Sequence, residues 1–80
     1  MEVYPIEHRG LFFNIITDYD LSFVEVRGIL NYLIDKGAFG NEDKVLGPGR
    51  LYDIPFEGFI YVVDVYGYEV VIYKKEASPG

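Results

Sequence analysis

Eighty residues with no cysteine, one histidine and a formal charge of −6 set limits before any pattern is read. Such a length holds one small core, and the missing cysteines remove disulfides and thiolate metal sites as sources of stability. The acid excess, with only seven Lys and Arg, argues against phosphate backbones as partners, because nucleic-acid binders carry a basic patch. A cationic protein surface or a divalent cation suits this charge better.

Hydrophobic residues make up 50% of the chain and aromatic residues 18%, enough for a packed core despite the charge. No run approaches the roughly 20 apolar residues that a bilayer crossing needs. The N-terminus lacks the basic and then apolar pattern of a secretory signal. A cytoplasmic protein without membrane contact is the expectation.

In chain order, residues 1–7 have extended character, and Pro5 suits a sheet edge because proline cannot donate to a ladder. His8-Arg9-Gly10 reads as a turn. Residues 11–17 then have the aromatic and β-branched content of a strand. Leu11, Phe13 and Ile15 share one face of it, and Phe12, Asn14 and Ile16 the other.

A helix follows. Ser22 and Glu25 form the capping-box pair, in which each side chain accepts from the other residue's amide. Phe23, Val26, Leu30, Leu33 and Ile34 recur as one helical stripe. Asp18 and Asp20 suit the positive end of the helix dipole, and Lys36-Gly37 suits its close. Gly28 costs about 1 kcal/mol against alanine in mid-helix, so a close approach of helix to sheet is expected there.

Gly40, Gly47, Pro48 and Gly49 mark residues 40–50 as a loop, in which Val45-Leu46 forms a short strand or tucks into the core. Residues 51–54 are extended until Pro55 breaks them, and Glu57-Gly58 turns the chain into a terminal hairpin. With Tyr66-Gly67 as the hairpin loop, one face carries Phe59, Tyr61, Val63, Val65, Tyr68, Val70 and Ile72. The other carries Ile60, Val62, Val71 and Tyr73, with Asp64 facing Glu69. Like charges directly opposite are unfavourable, so a three-residue loop that sets Asp64 against Tyr68 is preferred.

These elements predict an α+β fold: a small antiparallel sheet of about four strands in β-β-α-β-β order, with one helix packed on a face. Residues 1–76 form the single domain and residues 77–80 a disordered tail. One short helix covers one side of such a sheet, so apolar surface is left over for a partner.

Catalytic and ligand-binding patterns are sparse. Asp18, Asp20, Asn41, Glu42 and Asp43 offer hard oxygen ligands, yet the alternating acids and central glycine of an EF-hand loop are missing. His8 is flanked by Glu7 and Arg9, which alternate to the opposite strand face, so it reads as a turn histidine without a catalytic role. No nucleophile triad presents itself. Gly47-Pro48-Gly49-Arg50 lacks the Lys-Ser/Thr and following helix of a phosphate loop, and reads as a plain turn. The eight tyrosines are the better signal, since tyrosine couples apolar area to few rotors and a hydroxyl.

The preferred function is a small acidic protein-interaction module (an inhibitor, an adaptor or a phage-encoded antagonist) with no catalytic activity and no cofactor. Tyr52, Tyr61, Tyr66, Tyr68 and Tyr73 are its candidate contact residues. The partner is a protein with a basic surface, or a second copy of the chain in a homodimer. The alternative is a calcium-binding domain using Asp18, Asp20, Glu42 and Asp43. A toxin-like ribonuclease ranks last, because Arg9, Arg27 and Arg50 are too dispersed to line a phosphate cleft.

Overall fold

Tight turns set the local geometry. Arg9 and Gly10 take φ of 53° and 79°, the left-handed pair that a type I′ hairpin needs. They fold β1 (Glu2–His8) back on β2 (Leu11–Thr17) with His8 opposite Leu11. Glu57-Gly58 repeats the device between β3 (Arg50–Phe56) and β4 (Phe59–Tyr66). Gly67 is left-handed ahead of Tyr68, the type II′ arrangement, and joins β4 to β5 (Glu69–Ala77). The computed structural model describes residues 1–39 and 50–79; the expected Val45-Leu46 strand and the turn at Gly47-Pro48-Gly49 lie outside them.

The helix α1 (Phe23–Asp35) has both ends closed by its own sequence. Glu25 N–H donates to Ser22 Oγ at 3.2 Å, and Ser22 N–H donates to Glu25 Oε1 at 3.0 Å. At the other end Ala38 N–H donates to Leu33 O and Gly37 N–H to Ile34 O, both at 3.0 Å. That pair of bonds is a Schellman close. Ile29, Leu30 and Leu33 are the buried residues of α1. Phe23, expected in the buried stripe, is instead 60% exposed and carries the Arg27 guanidinium over its ring at 5.7 Å.

The sheet has five strands, not about four, in the order β1-β2-β5-β4-β3, and it is mixed rather than antiparallel. After α1 the chain enters at the far edge, meanders back through β3, β4 and β5, and sets β5 parallel to β2 with Ile15 beside Val70. This arrangement leaves β1 and β3 outermost, each with a proline. Pro55 therefore does not break β3, since an edge strand tolerates a missing amide on its outer side. β5 also runs past the expected start of the tail: Ala77 pairs with Phe59, and Ser78 N–H donates to Gly58 O at 2.9 Å.

The register between β4 and β5 corrects both expected versions. Tyr66 pairs with Glu69, Val65 with Val70 and Asp64 with Val71, so Gly67-Tyr68 is the loop and no acid faces Asp64. The register shifts between Val62, opposite Lys74, and Val63, opposite Ile72, leaving Tyr73 as the extra residue of a bulge. Side-chain parity along β5 reverses there.

The core lies between α1 and one sheet face. Phe13, Ile15, Ile54, Tyr61, Val63, Val65, Val70 and Ile72 are buried beneath Ile29, Leu30 and Leu33. Phe39, Phe13 and Tyr68 close one end, with the Phe39 and Tyr68 rings stacked at 5.8 Å. Gly28 meets β3 here: a Cβ on it would stand 2.3 Å from the Phe56 ring, which is the close approach its presence implied. Gly28→Ala should therefore lower stability by about 1–3 kcal/mol in urea unfolding, overpacking outweighing the better helix propensity. An alanine variant as stable as the parent would refute that account of Gly28.

Candidate interaction surface

Alternation sends every second side chain of the sheet away from α1. One cross-strand row on that outer face runs Val3, Ile16, Val71, Asp64, Leu51 from edge to edge. Val62 and Ile60 extend the apolar surface on one side and Tyr73 joins it by alternation from Val71, while on the other side the row Pro5, Asn14, Glu69, Tyr66 separates it from Phe12. Phe12 is 73% and Leu51 68% exposed, while Val3, Tyr66 and Tyr73 are about half exposed or more. Among the described residues no secondary-structure element lies over this face, since α1 occupies the other one.

Asp64 is the anomaly in that row. It is 6% exposed, and its Oδ1 is buried without a hydrogen-bond partner. Its flanking neighbours across the ladder are Leu51 and Val71, both apolar. Lys74 is one pair further along, opposite Val62, but its Nζ pairs with Glu76 at 2.9 Å. A buried carboxylate left this way costs free energy that a paired one does not.

The five candidate tyrosines separate into three groups. Tyr66 and Tyr73 are exposed, whereas Tyr52 and Tyr68 are half-buried against the core. Tyr61 is fully buried, a correction to its candidacy as a contact residue, because its ring has no surface to offer. Its hydroxyl donates to Glu25 Oε2 at 2.5 Å, and Lys75 Nζ reaches the same oxygen at 2.6 Å. Lys75 also lies over the Phe59 ring at 4.6 Å. The bulge makes this cluster, since unbroken alternation would have sent Lys75 to the outer face.

Burial alone would raise the Glu25 carboxyl, but hydrogen bonds from Lys75, Tyr61 and Ser22 outweigh it and hold it at about 2, against 4.5 ordinarily. Burial and the Glu25 carboxylate together push the Tyr61 hydroxyl well above its usual value. Each atom of the cluster has a partner, so it ties α1 to β4 and β5 rather than offering a reactive group.

The remaining candidates are dispersed. Asp18 pairs with the Met1 amino group at 3.0 Å, Asp20 lines a separate cleft, and Glu42 and Asp43 lie outside the described residues. Among the described residues no group of three or more His, Asp or Glu side chains could hold a metal ion. His8 Nε2–H donates to Asn31 Oδ1 at 2.7 Å, linking β1 to α1. The cleft of about 270 Å3 between β1, β2 and the start of α1 is lined by Tyr4, Pro5, Ile15, Leu21, Phe23 and Val26, among others. No helix among the described residues is long and apolar enough to cross a membrane.

Comparison with known protein families, with curated proteins and with solved structures finds no match.

The depressed Glu25 carboxyl has a definite pH signature. Its folded value lies below its unfolded one, so its contribution is present above 4.5 and is lost as pH falls toward about 2. Glu25→Gln should cost about 1–2 kcal/mol at neutral pH, a figure reduced for solvent screening. It should also flatten the dependence of stability on pH across that acid interval. Urea titrations at stepped pH measure both, and a variant whose acid limb stays as steep as the parent's would refute the role of the cluster.

Proposed function

We propose that the chain is a small protein-interaction module that binds a partner protein through the outer face of its sheet and catalyses no reaction. The observation that carries this reading is the apolar side chains on the face opposite the helix, where Val3, Phe12, Leu51 and Tyr73 are exposed and Ile16, Ile60, Val62 and Val71 are half-buried around Asp64. Contiguous apolar surface beyond a few hundred Å2 marks interaction sites in soluble proteins.

The face is a better docking element than the edges. Pro5 and Pro55 each remove an amide donor from an outermost strand, and prolines there blunt strand addition. Side-chain packing onto the sheet is what remains. With a formal charge of −6, the chain favours a partner whose surface is basic around an apolar centre. Tyr66 and Tyr73 serve as contact residues in this reading. An inhibitor, an adaptor or a phage-encoded antagonist would all use the face in this way.

Phe12→Ser and Leu51→Ser test it, with Val24→Ser as the control, since Val24 is exposed on the helix side of the molecule. Each sheet variant should weaken capture of the partner at least about tenfold, while folding stability stays within about 0.5 kcal/mol of the parent. The control should bind as the parent does. Sedimentation equilibrium of the same set distinguishes a second copy from a different protein as occupant. Undiminished capture by both sheet variants would sink the proposal.

A further inference from the structure

We infer that Asp64 is the receptor for an arginine of the partner, so that the face selects a heterologous protein carrying a guanidinium within an apolar patch. The inference rests on the reading of the outer face as the docking surface. It goes further by naming the chemistry that face awaits.

The argument begins with the cost of the arrangement. Asp64 is more than nine-tenths buried, its Oδ1 has no partner, and its neighbours along the row are Leu51 and Val71. A valine or leucine there would complete an apolar row from Val3 to Leu51. Among the described residues nothing uses the carboxylate: the helix, the core and the Glu25 cluster all lie on the opposite face. A buried polar atom left unsatisfied in a native protein calls for an explanation, such as an ordered water, an ion or a donor brought by a partner, and on an apolar docking face we assign the last.

That partner must be cationic, and the surroundings favour guanidinium over ammonium. An arginine head is planar, weakly hydrated and able to meet a carboxylate with two parallel N–H bonds, so it enters apolar surroundings at lower cost than lysine. Leu51, directly opposite Asp64 and largely exposed, is the side chain that moves aside to admit it. A second copy of the chain fits poorly. Arg9 lies in the β1–β2 turn, Arg27 is on α1, and Arg50 pairs with Val65 on the helix side. Among the described residues the outer face therefore presents Lys74, already paired with Glu76, and no arginine.

The first measurement is the stability of the free protein. Asp64→Asn should raise Tm by several degrees, about 4–8 °C for a domain this small, because the unpaired charge is gone. A lower Tm would mean that Asp64 is paired within the chain, and would overturn the assignment. Second, N-acetyl-arginine amide titrated against the intact protein should give saturable NMR shifts at the Leu51, Val62 and Val71 methyls. N-acetyl-lysine amide should bind several-fold more weakly, and Asp64→Asn should abolish the arginine response. Equal responses to both probes, or a response that survives Asp64→Asn, would overturn it as well. If Phe12→Ser and Leu51→Ser abolish partner capture while Asp64→Asn leaves it intact, the arginine assignment falls and the docking face stands. If the two serine variants leave capture intact, the docking face itself falls.

Discussion

One helix must serve a sheet with two faces, and the rest of the structure follows from how that shortage is resolved. Among the described residues α1 is the sole layer available, and it commits to one side through contacts that are hard to exchange. Phe56 lies against Gly28 where no Cβ fits, and Glu25 gathers Tyr61 and Lys75 onto the helix's first turn. Ile29, Leu30 and Leu33 then close over side chains from β2, β3, β4 and β5. What is left is a second face that is apolar on either side of Asp64. Strands buried on both sides read as continuous hydrophobic runs, and residues 59–65 read that way while among the described residues only one side is covered.

The edges are handled differently from the face. The strands that carry prolines are the outermost ones, and β2 and β4, the two with the densest apolar content, are internal. Joining the β1–β2 hairpin to the β3–β4–β5 meander through a parallel β2–β5 pair achieves both at once. Strand addition is discouraged and packing from above is not. In the proposed reading, a surface blunted at its rims and largely apolar between them would direct a partner to one mode of approach.

In the proposed reading, Asp64 sits where the interests of folding and of recognition diverge. Every local rule favours an aliphatic residue at that point of β4, and the register removes even the acid-on-acid pairing that a different loop would have imposed. If the proposed docking holds, a carboxylate there gives up stability for selectivity, since it penalises apolar occupants that bring no cation. Glu25 shows the contrast within the same molecule. It too is a sheltered carboxylate, but lysine, tyrosine and a backbone amide satisfy it, and it strengthens the fold.

Much of this was legible in the residues themselves. The Ser22–Glu25 capping box, the Gly37 close, the Gly28 approach, the turns at Arg9-Gly10 and Glu57-Gly58, and the edge position of Pro5 all depend on atoms a few residues apart or on one missing group. Alternation likewise put Phe13 and Ile15 on one face, which the structure buries, and the two faces of β4 keep their assignment because the true register differs from the first expected one by an even step. The parallel β2–β5 pair, the bulge at Tyr73 that turns Lys75 toward Glu25, the burial of Tyr61 and the isolation of Asp64 were decided by tertiary structure alone. Each depends on which distant strand lies alongside, and that choice is made by the summed packing of the whole sheet rather than by any short stretch of chain.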